Sequence, residues 1–294
     1  MFNDFTPHPV APFGEILDRA PADATPAMSR CIQGTSLSTK RCKNFAAEIE
    51  FAVKKVHTLD VTKKGPADYT TAIDRRVEKI VLEEIKRFYP DDNFLGEETG
   101  EEMGSSNITW ILDPIDGTSN FMHGYPHFCI SLCCLIDKEP VAGVIIDPMR
   151  QEEFSASKGA GADLNNRKIR VSKQPNLDGS LISNSSHTSA SQTYSYETMQ
   201  TFRKLYESEV TIRRSGSVAL DLCYVAAGRL DAFWGHGLKI WDVSAGLLIA
   251  EEAGALVSDF NGDPKFLEGD HFICSTPKCY KPMLQAIKPY YKAL

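Results

Sequence analysis

Trp110-Ile111-Leu112-Asp113-Pro114-Ile115-Asp116-Gly117-Thr118-Ser119-Asn120-Phe121 is the stretch on which the organisation of this chain turns. Thr109 to Leu112 reads as a short buried strand that delivers Asp113 at its end. Pro114 fixes a bend between Asp113 and Asp116, and Gly117 permits close backbone approach just before Thr118. Two carboxylates held this close repel each other, so one is protonated unless cations neutralise the pair. An isolated Asp-X-X-Asp-Gly is commonly only a turn, so its meaning depends on the rest of the chain.

Upstream, Ser36 to Val56 has Phe45, Ile49, Ala52, Val53 and Val56 at helical spacing. A loop with Lys63, Lys64, Gly65 and Pro66 follows. A second helix is expected from Ala72 to Tyr89, with Ile73, Val77, Ile80, Val81, Ile85 and Phe88 as its buried stripe and Pro90 as its stop. Phe94 to Gly96 reads as a short strand entering the acidic loop Glu97-Glu98. Downstream, His127–Ile136, Val141–Ile146, Glu153–Ser157 and Lys168–Val171 are apolar runs separated by turn signals. Their short connections favour an antiparallel meander. After about Asp178 strands and helices alternate. Ser217–Ala227 and Asp242–Ala253 are expected helices closed by Gly228 and Gly254, and Leu230–Trp234 and Ala255–Phe260 are expected strands. The pattern gives an α+β half, 36–175, and an α/β half, 176–294, sharing one cleft. Residues 1–35, with Pro7, Pro9, Pro12 and Pro21, read as a flexible N-terminal extension.

The net charge of −7 over 294 residues disfavours non-specific attraction to nucleic acid or an anionic membrane. No apolar run approaches the roughly 18 residues that span a bilayer, and Met1 to Thr25 has no secretory pattern. The eight cysteines are scattered through apolar segments without metal-ligand spacing. Cys129, Cys133 and Cys134 read as small core residues, and the chain as a reduced, cytoplasmic protein.

Four segments place carboxylates in loops or at element ends. They are Asp74 in Asp-Tyr-Thr-Thr-Ala-Ile-Asp, Glu97 in Gly-Glu-Glu, the Asp113/Asp116 pair, and Asp242 in Ile-Trp-Asp, where it reads as a helix N-cap. An all-oxygen set suits Mg²⁺ or Mn²⁺ over Zn²⁺. Mg²⁺ is completed by water and phosphate oxygens, which points to a phosphorylated substrate. Backbone N–H groups after Gly117 face a phosphate if a helix or turn starts there.

Trp110 to Phe121 resembles the first signature of the inositol monophosphatase family, and Trp241-Asp242-Val243-Ser244-Ala245-Gly246 continuing to Glu252-Ala253-Gly254 resembles its second. Phe94 to Glu98 and Asp68 to Asp74 are similar to its two other conserved stretches. The resemblance implies a layered αβαβα sugar-phosphatase fold, two or three Mg²⁺ ions (Mn²⁺ as substitute), a homodimer, and hydrolysis of inositol monophosphate or a related small polyol or sugar phosphate. It places Glu97, Asp113 and the Ile115 carbonyl on one metal, Asp113, Asp116 and Asp242 on a second, and Glu97 near a third. Thr118, hydrogen-bonded to Asp74, orients the attacking water with Glu97, and the Gly117 and Thr118 amides bind phosphate.

On the substrate side, the resemblance assigns Gly216, Ser217, Gly235 and Asp242. The family generally has a Glu where this chain has Gly235, so a carboxylate acceptor for the alcohol is missing; His236 beside it either compensates or is a packing residue. Val218 is bulkier than the family's Ala. Asp221 is a substrate contact by family position or a solvated helix residue, Lys63 or Lys64 a phosphate guide or a charged loop. His123 and His127 read as structural, Arg213-Arg214 as a dimer contact or a solvated strand end. The alternatives are a nucleotide 3′-phosphatase, a fructose-1,6-bisphosphatase, or a non-catalytic metal-binding regulator of a protein or RNA partner.

Overall fold

The structure is a computed structural model that describes residues 24–53, 61–65, 68–186, 194–264 and 269–291. Most of the N-terminal extension and position 56 of the first expected helix lie outside these residues, as does the Lys64 side chain. The described residues form seven helices and fifteen strands. They stack as five layers, αβαβα, matching the expected fold class.

Helices α1 (Pro26–Val53) and α2 (Ala72–Phe88) cover one face of an eight-stranded sheet. Its strands are β3 (Asn93–Gly96), β4 (Gly100–Glu102), β5 (Ile108–Asp116), β6 (Cys129–Ile136), β7 (Glu139–Asp147), β8 (Glu152–Ser157), β9 (Gly161–Leu164) and β10 (Arg167–Lys168). They run in the order β10-β9-β8-β7-β6-β5-β3-β4, antiparallel except where β3 meets β5. Helices α5 (Val218–Ala226) and α6 (Ile240–Glu252) fill the space between this sheet and a second one. That sheet comprises β11 (Leu181–Ser186), β12 (Thr211–Arg213), β13 (Ala232–His236), β14 (Leu256–Ser258) and β15 (His271–Ser275), ordered β12-β11-β13-β15-β14. Helices α4 (Ser195–Tyr206) and α7 (Pro277–Ile287) close its outer face.

The strand alternation explains the layering. Trp110 and Leu112 pack toward α1 and α2, whereas Ile111 between them packs toward α5 and α6. Phe233 likewise faces the middle helices while Trp234 faces α4 and α7. A sheet covered on both faces reads as a nearly continuous apolar run, which is why β6 is buried at seven consecutive residues.

Several boundaries differ from the sequence reading. The first helix starts at Pro26, ten positions early, and buries Cys31 and Ile32. Cys31 is joined to Cys134 of β6 by a disulfide spanning 103 positions, so these two are not reduced core thiols. The expected loop at Lys63 is strand β1 (Val61–Gly65), paired antiparallel with β2 (Asp68–Thr71). Phe88, expected in the stripe of α2, is 47% exposed. Strand β5 does not end at Leu112 but runs to Asp116, because a bulge absorbs Pro114: Asp113 pairs with Ser131 and Asp116 with Cys129. A proline has no N–H to give the ladder, and a bulge is where a sheet tolerates it.

The middle layer is close-packed through small residues. A Cβ on Gly246 of α6 would lie 2.8 Å from Cδ1 and 2.9 Å from Cβ of Leu222 on α5. Gly246→Ala therefore overpacks the α5–α6 contact, with an expected loss of about 1–3 kcal/mol, read as a lowered midpoint with unchanged slope in urea unfolding. Stability equal to the parent would refute this contact.

Candidate active site

Helix α2 places the first carboxylate. Asp74 is its third residue, and Asp74 Oδ2 accepts the Thr71 backbone N–H at 2.8 Å and the Thr71 hydroxyl. In return Thr71 Oγ1 accepts the Ile73 N–H at 3.2 Å, a reciprocal cap. Burial pushes Asp74 up to about 6, with the Thr71 bonds opposing. Thr118 Oγ1 lies 3.5 Å from Asp74 Oδ1, the outer limit of a hydrogen bond, and donates more closely to the Ile115 carbonyl at 3.0 Å.

One turn further along α2, Glu78 is fully buried beneath the Glu97 loop, a residue absent from the sequence reading. Its two oxygens accept the Glu98 and Thr99 N–H groups at 2.9 and 2.6 Å. Gly96 lies against it, where a Cβ would sit 2.4 Å from the Glu78 carboxyl carbon. The Glu97 N–H donates to the Leu112 carbonyl at 3.2 Å, so Glu97 leaves β3 alongside the end of β5. An acid four residues after Asp74 on the same helix face is the signal that marks Glu78 in the sequence.

The bulge of β5 sets Asp113 and Asp116. Asp113 Oδ1 accepts the Ile115 N–H at 3.0 Å. Asp116 Oδ2 accepts the Ser217 hydroxyl at 2.6 Å and the Ala219 N–H at 2.7 Å, both from the start of α5. Ser217, assigned to substrate by resemblance, is thus fully buried with its hydroxyl on Asp116. Asp242 is not the N-cap but the third residue of α6, where its Oδ2 accepts the Lys239 N–H at 2.8 Å.

These carboxylates affect one another. Asp113 is pushed well above the usual carboxylate range by burial and then by the charges of Glu97, Asp116 and Asp242. Asp242 is raised by burial, then by Asp116 and Glu97. Burial takes Asp116 up to about 6 despite its Ser217, Ala219 and Val218 partners. Buried acids that raise each other cannot all ionise without a cation. As they stand, no three His, Cys or acidic side chains among the described residues are close enough to hold a metal. The donor type still fits a hard divalent ion: only carboxylates face one another, and burial holds the nearby Cys129 thiol in its neutral form.

Two loops meet beside this cluster. Gly117 (φ +96°) precedes the short helix α3 (Thr118–Met122), and Gly216 (φ +86°) precedes Ser217. A Cβ on Gly117 would lie 3.0 Å from the His127 carbonyl oxygen and 3.2 Å from that of Gly216. Asn120 Nδ2 bridges the loops, donating to His127 O at 2.7 Å and Ser215 O at 2.8 Å. Positive φ and close approach together require glycine at both positions.

The remaining candidates fall elsewhere. Gly235 lies within β13, where a Cβ would be 2.6 Å from Leu238 Cδ1 and 2.9 Å from Ser185 O, so no side chain fits. His236 points to the other face, with Nε2 3.0 Å from Thr198 Oγ1 and its ring against Tyr194 and Tyr291. It does not replace the missing carboxylate. Asp221 is fully buried, 3.6 Å from His127 Nε2, and is neither solvated nor open to substrate. His123 is exposed, its Nδ1 2.8 Å from the Ser119 carbonyl. Lys63 and Arg213 are exposed, while Arg214 donates to Asn184 Oδ1 and Ser186 Oγ.

The inositol monophosphatase family model matches residues 33–290. The chain belongs to the inositol monophosphatase family. A relative called Nus factor SuhB, from Pseudomonas aeruginosa, is 41% identical over 85% of this chain and 94% of its own. The crystal structure of the extragenic suppressor protein SuhB from Bartonella henselae superposes with a TM-score of 0.81 at 33% identity, covering 92% of this chain and all of that one. A Thermotoga maritima IMPase superposes at 0.78 and 33% identity, covering 87% and 97%. The family is metal-dependent.

A stability consequence follows from the raised acids. Each binds its proton more tightly folded than unfolded, so its contribution is lost as pH rises: for Asp74 and Asp116 from the unfolded value near 4 through about 6, and for Asp113, Asp221 and Asp242 in the same direction. His236, lowered to about 4 by burial, works in the opposite direction between about 4 and 6.5. Asp74, Asp113, Asp116, Asp221 and Asp242 outweigh this one imidazole. In EDTA the Tm is expected to fall between pH 4 and pH 7, and Mg²⁺ at pH 7 is expected to recover much of the loss. A Tm that rises over this range in EDTA would contradict the carboxylate cluster.

Proposed function

We propose that this chain is a Mg²⁺-dependent phosphomonoesterase acting on inositol monophosphate or a related small polyol or sugar phosphate. The observation that carries the reading is the convergence of the buried Asp113 and Asp116 with the half-buried Glu97 and Asp242, from three separate elements, into one mutually repelling cluster. Glu97, Asp113 and the Ile115 carbonyl would hold one Mg²⁺, Asp113, Asp116 and Asp242 another, with Glu97 near a third. Bound there, Mg²⁺ neutralises the phosphoryl charge and lowers the pKa of water. The Gly117 and Thr118 amides receive phosphate oxygens at the turn into α3. Thr118, held between Ile115 O and Asp74, orients the attacking water together with Glu97. No protein nucleophile is required, because phosphoryl transfer depends chiefly on positioning and charge neutralisation.

The alcohol side is less selective than in relatives with a Glu at position 235, because Leu238 and the β11 backbone occupy the space that a side chain there would enter. Two measurements test the reading. With Mg²⁺ and a panel of phosphorylated polyols, sugars and nucleotides, the chain is expected to hydrolyse several polyol phosphates with similar kcat/KM. Asp113→Asn is expected to lower kcat roughly a hundred- to a thousandfold with its circular dichroism unchanged. Asp113→Asn with normal turnover, or a single strongly preferred nucleotide, would overturn it.

The name Nus factor borne by relatives supports a second reading, a non-catalytic regulator that engages a partner through its folded surface. With a net charge of −7, a protein partner fits better than RNA. Under this reading Asp113→Asn retains partner binding, whereas under the first it removes the activity that matters.

A further inference from the structure

Beside the cluster lie two polar side chains that the proposed chemistry does not use. His127 Nε2 and Asp221 Oδ1 are 3.6 Å apart, with side chains 6% and 0% exposed. Neither His127 Nε2 nor either Asp221 oxygen makes a close hydrogen bond, although the Ser215 and Ser183 hydroxyls also bear on the carboxylate. Burying a carboxylate without a close hydrogen bond is costly, so its placement against an imidazole calls for a reason. His127, Ser215 and Ser183 each act to lower the Asp221 pKa against the effect of burial. The carboxylate therefore stands where the segment after α3, the loop before α5 and strand β11 come together.

Both partners reach the proposed metal cluster through short connections. The His127 carbonyl takes the Asn120 amide and abuts Gly117, which fixes the turn that presents the Gly117 and Thr118 amides. Asp221 lies one helical turn after Ser217, and its N–H donates to the Ser217 carbonyl at 3.2 Å. Ser217 and Ala219, in that same turn, hold Asp116. Asn120 closes the circuit by donating to Ser215. Moving His127 away from Asp221 would let the phosphate turn and the Asp116 cradle shift relative to each other.

We propose that His127 and Asp221 are a positioning couple that locks the 117–120 turn to the first turn of α5 and thereby sets Asp116 for metal binding. This rests on the metal reading above, not on hydrolysis itself. Supporting groups of this kind typically change metal affinity by 10- to 100-fold.

The test uses the full chain and Mn²⁺ binding measured by electron paramagnetic resonance, with melting in EDTA as the fold control. Positioning predicts that Asp221→Asn and His127→Gln each weaken Mn²⁺ binding by about tenfold. The double variant, with a neutral amide pair in place of the couple, is expected to recover most of the loss. A field effect alone predicts opposite signs: Asp221→Asn removes a negative charge and weakens binding, whereas His127→Gln leaves that charge unopposed and strengthens it. Opposite signs, additive losses in the double variant, or a lowered Tm with Mn²⁺ affinity within twofold of the parent would each overturn the proposal. If His127→Gln does not fold, Asn120→Ala cuts the same linkage at its carbonyl end, and unchanged Mn²⁺ affinity there overturns it equally. A parent that binds Mn²⁺ but hydrolyses no ester refutes the proposed function and leaves the couple standing. A parent that binds no Mn²⁺ removes the metal reading and the couple together.

Discussion

Acids gathered at the edge of the core, two buried and two half-buried, are the constraint from which the rest of this molecule follows. Asp113, Asp116, Asp242 and Glu97 come from the end of β5, the first turn of α6 and the exit of β3. Each of the aspartates is raised by burial, and Asp113 and Asp242 further by their neighbours. Such a group persists only if the surrounding structure fixes every member, because relaxation outward would relieve the repulsion. The fixing is done mainly by backbone donors. Ile115 holds Asp113, Ala219 holds Asp116, Lys239 holds Asp242 and Thr71 holds Asp74. A main-chain N–H cannot swing away as a side chain can, so the positions of the acids are set by the secondary structure itself.

Secondary structure in turn is arranged around this requirement. The bulge at Pro114 advances β5 by one residue, which brings Asp116 beneath the start of α5. Gly246 and Leu222 hold α5 tightly against α6, so the Asp116 cradle and the Asp242 turn are tied through one close contact. On the opposite side Glu78 does for the Glu97 loop what a helix start does for Asp116: it supplies fixed partners, here two acceptor oxygens for two successive N–H groups. The packing of the core and the geometry of the site are therefore one problem solved once.

How much of this the sequence discloses depends on how local the cause is. Helix α2 and the meander are visible because periodicity is a property of neighbours, whereas the layered fold follows from the resemblance of the signature motifs. The four acidic segments are visible because their spacing is short. What escapes are relations between distant residues. Nothing in Cys31 and Cys134 marks them as a pair across 103 positions. Ser217 gives no sign that its hydroxyl goes to a carboxylate 101 positions earlier. His127 reads as structural, and Asp221 as a substrate contact or a solvated helix residue, until the fold buries them together. Asp242 was misplaced by three positions for a different reason: an acid in the first helical turn satisfies the same orphan N–H groups from the third position as from the cap. The sequence leaves His236 as either a stand-in for the missing carboxylate or a packing residue, and alternation along β13, which sends it to the face opposite position 235, makes it the latter.

That alternation also separates chemistry from recognition. The carboxylates hang from the first sheet and the helix layer, and their pinning groups come from the same layers. Position 235 belongs to the second sheet, where Leu238 and Ser185 close the space around it. Under the proposed function, a change there alters what the alcohol side of a substrate meets without touching any group that fixes the acids. The same fold can accordingly keep its buried cluster intact while its preference among phosphorylated alcohols drifts. Surface properties are a third independent layer, since α4 carries Tyr196, Met199 and Tyr206 outward on the side of the second sheet away from the cluster. The acids therefore constrain the cluster alone, while the space around position 235 and the outward face of α4 are set by separate residues.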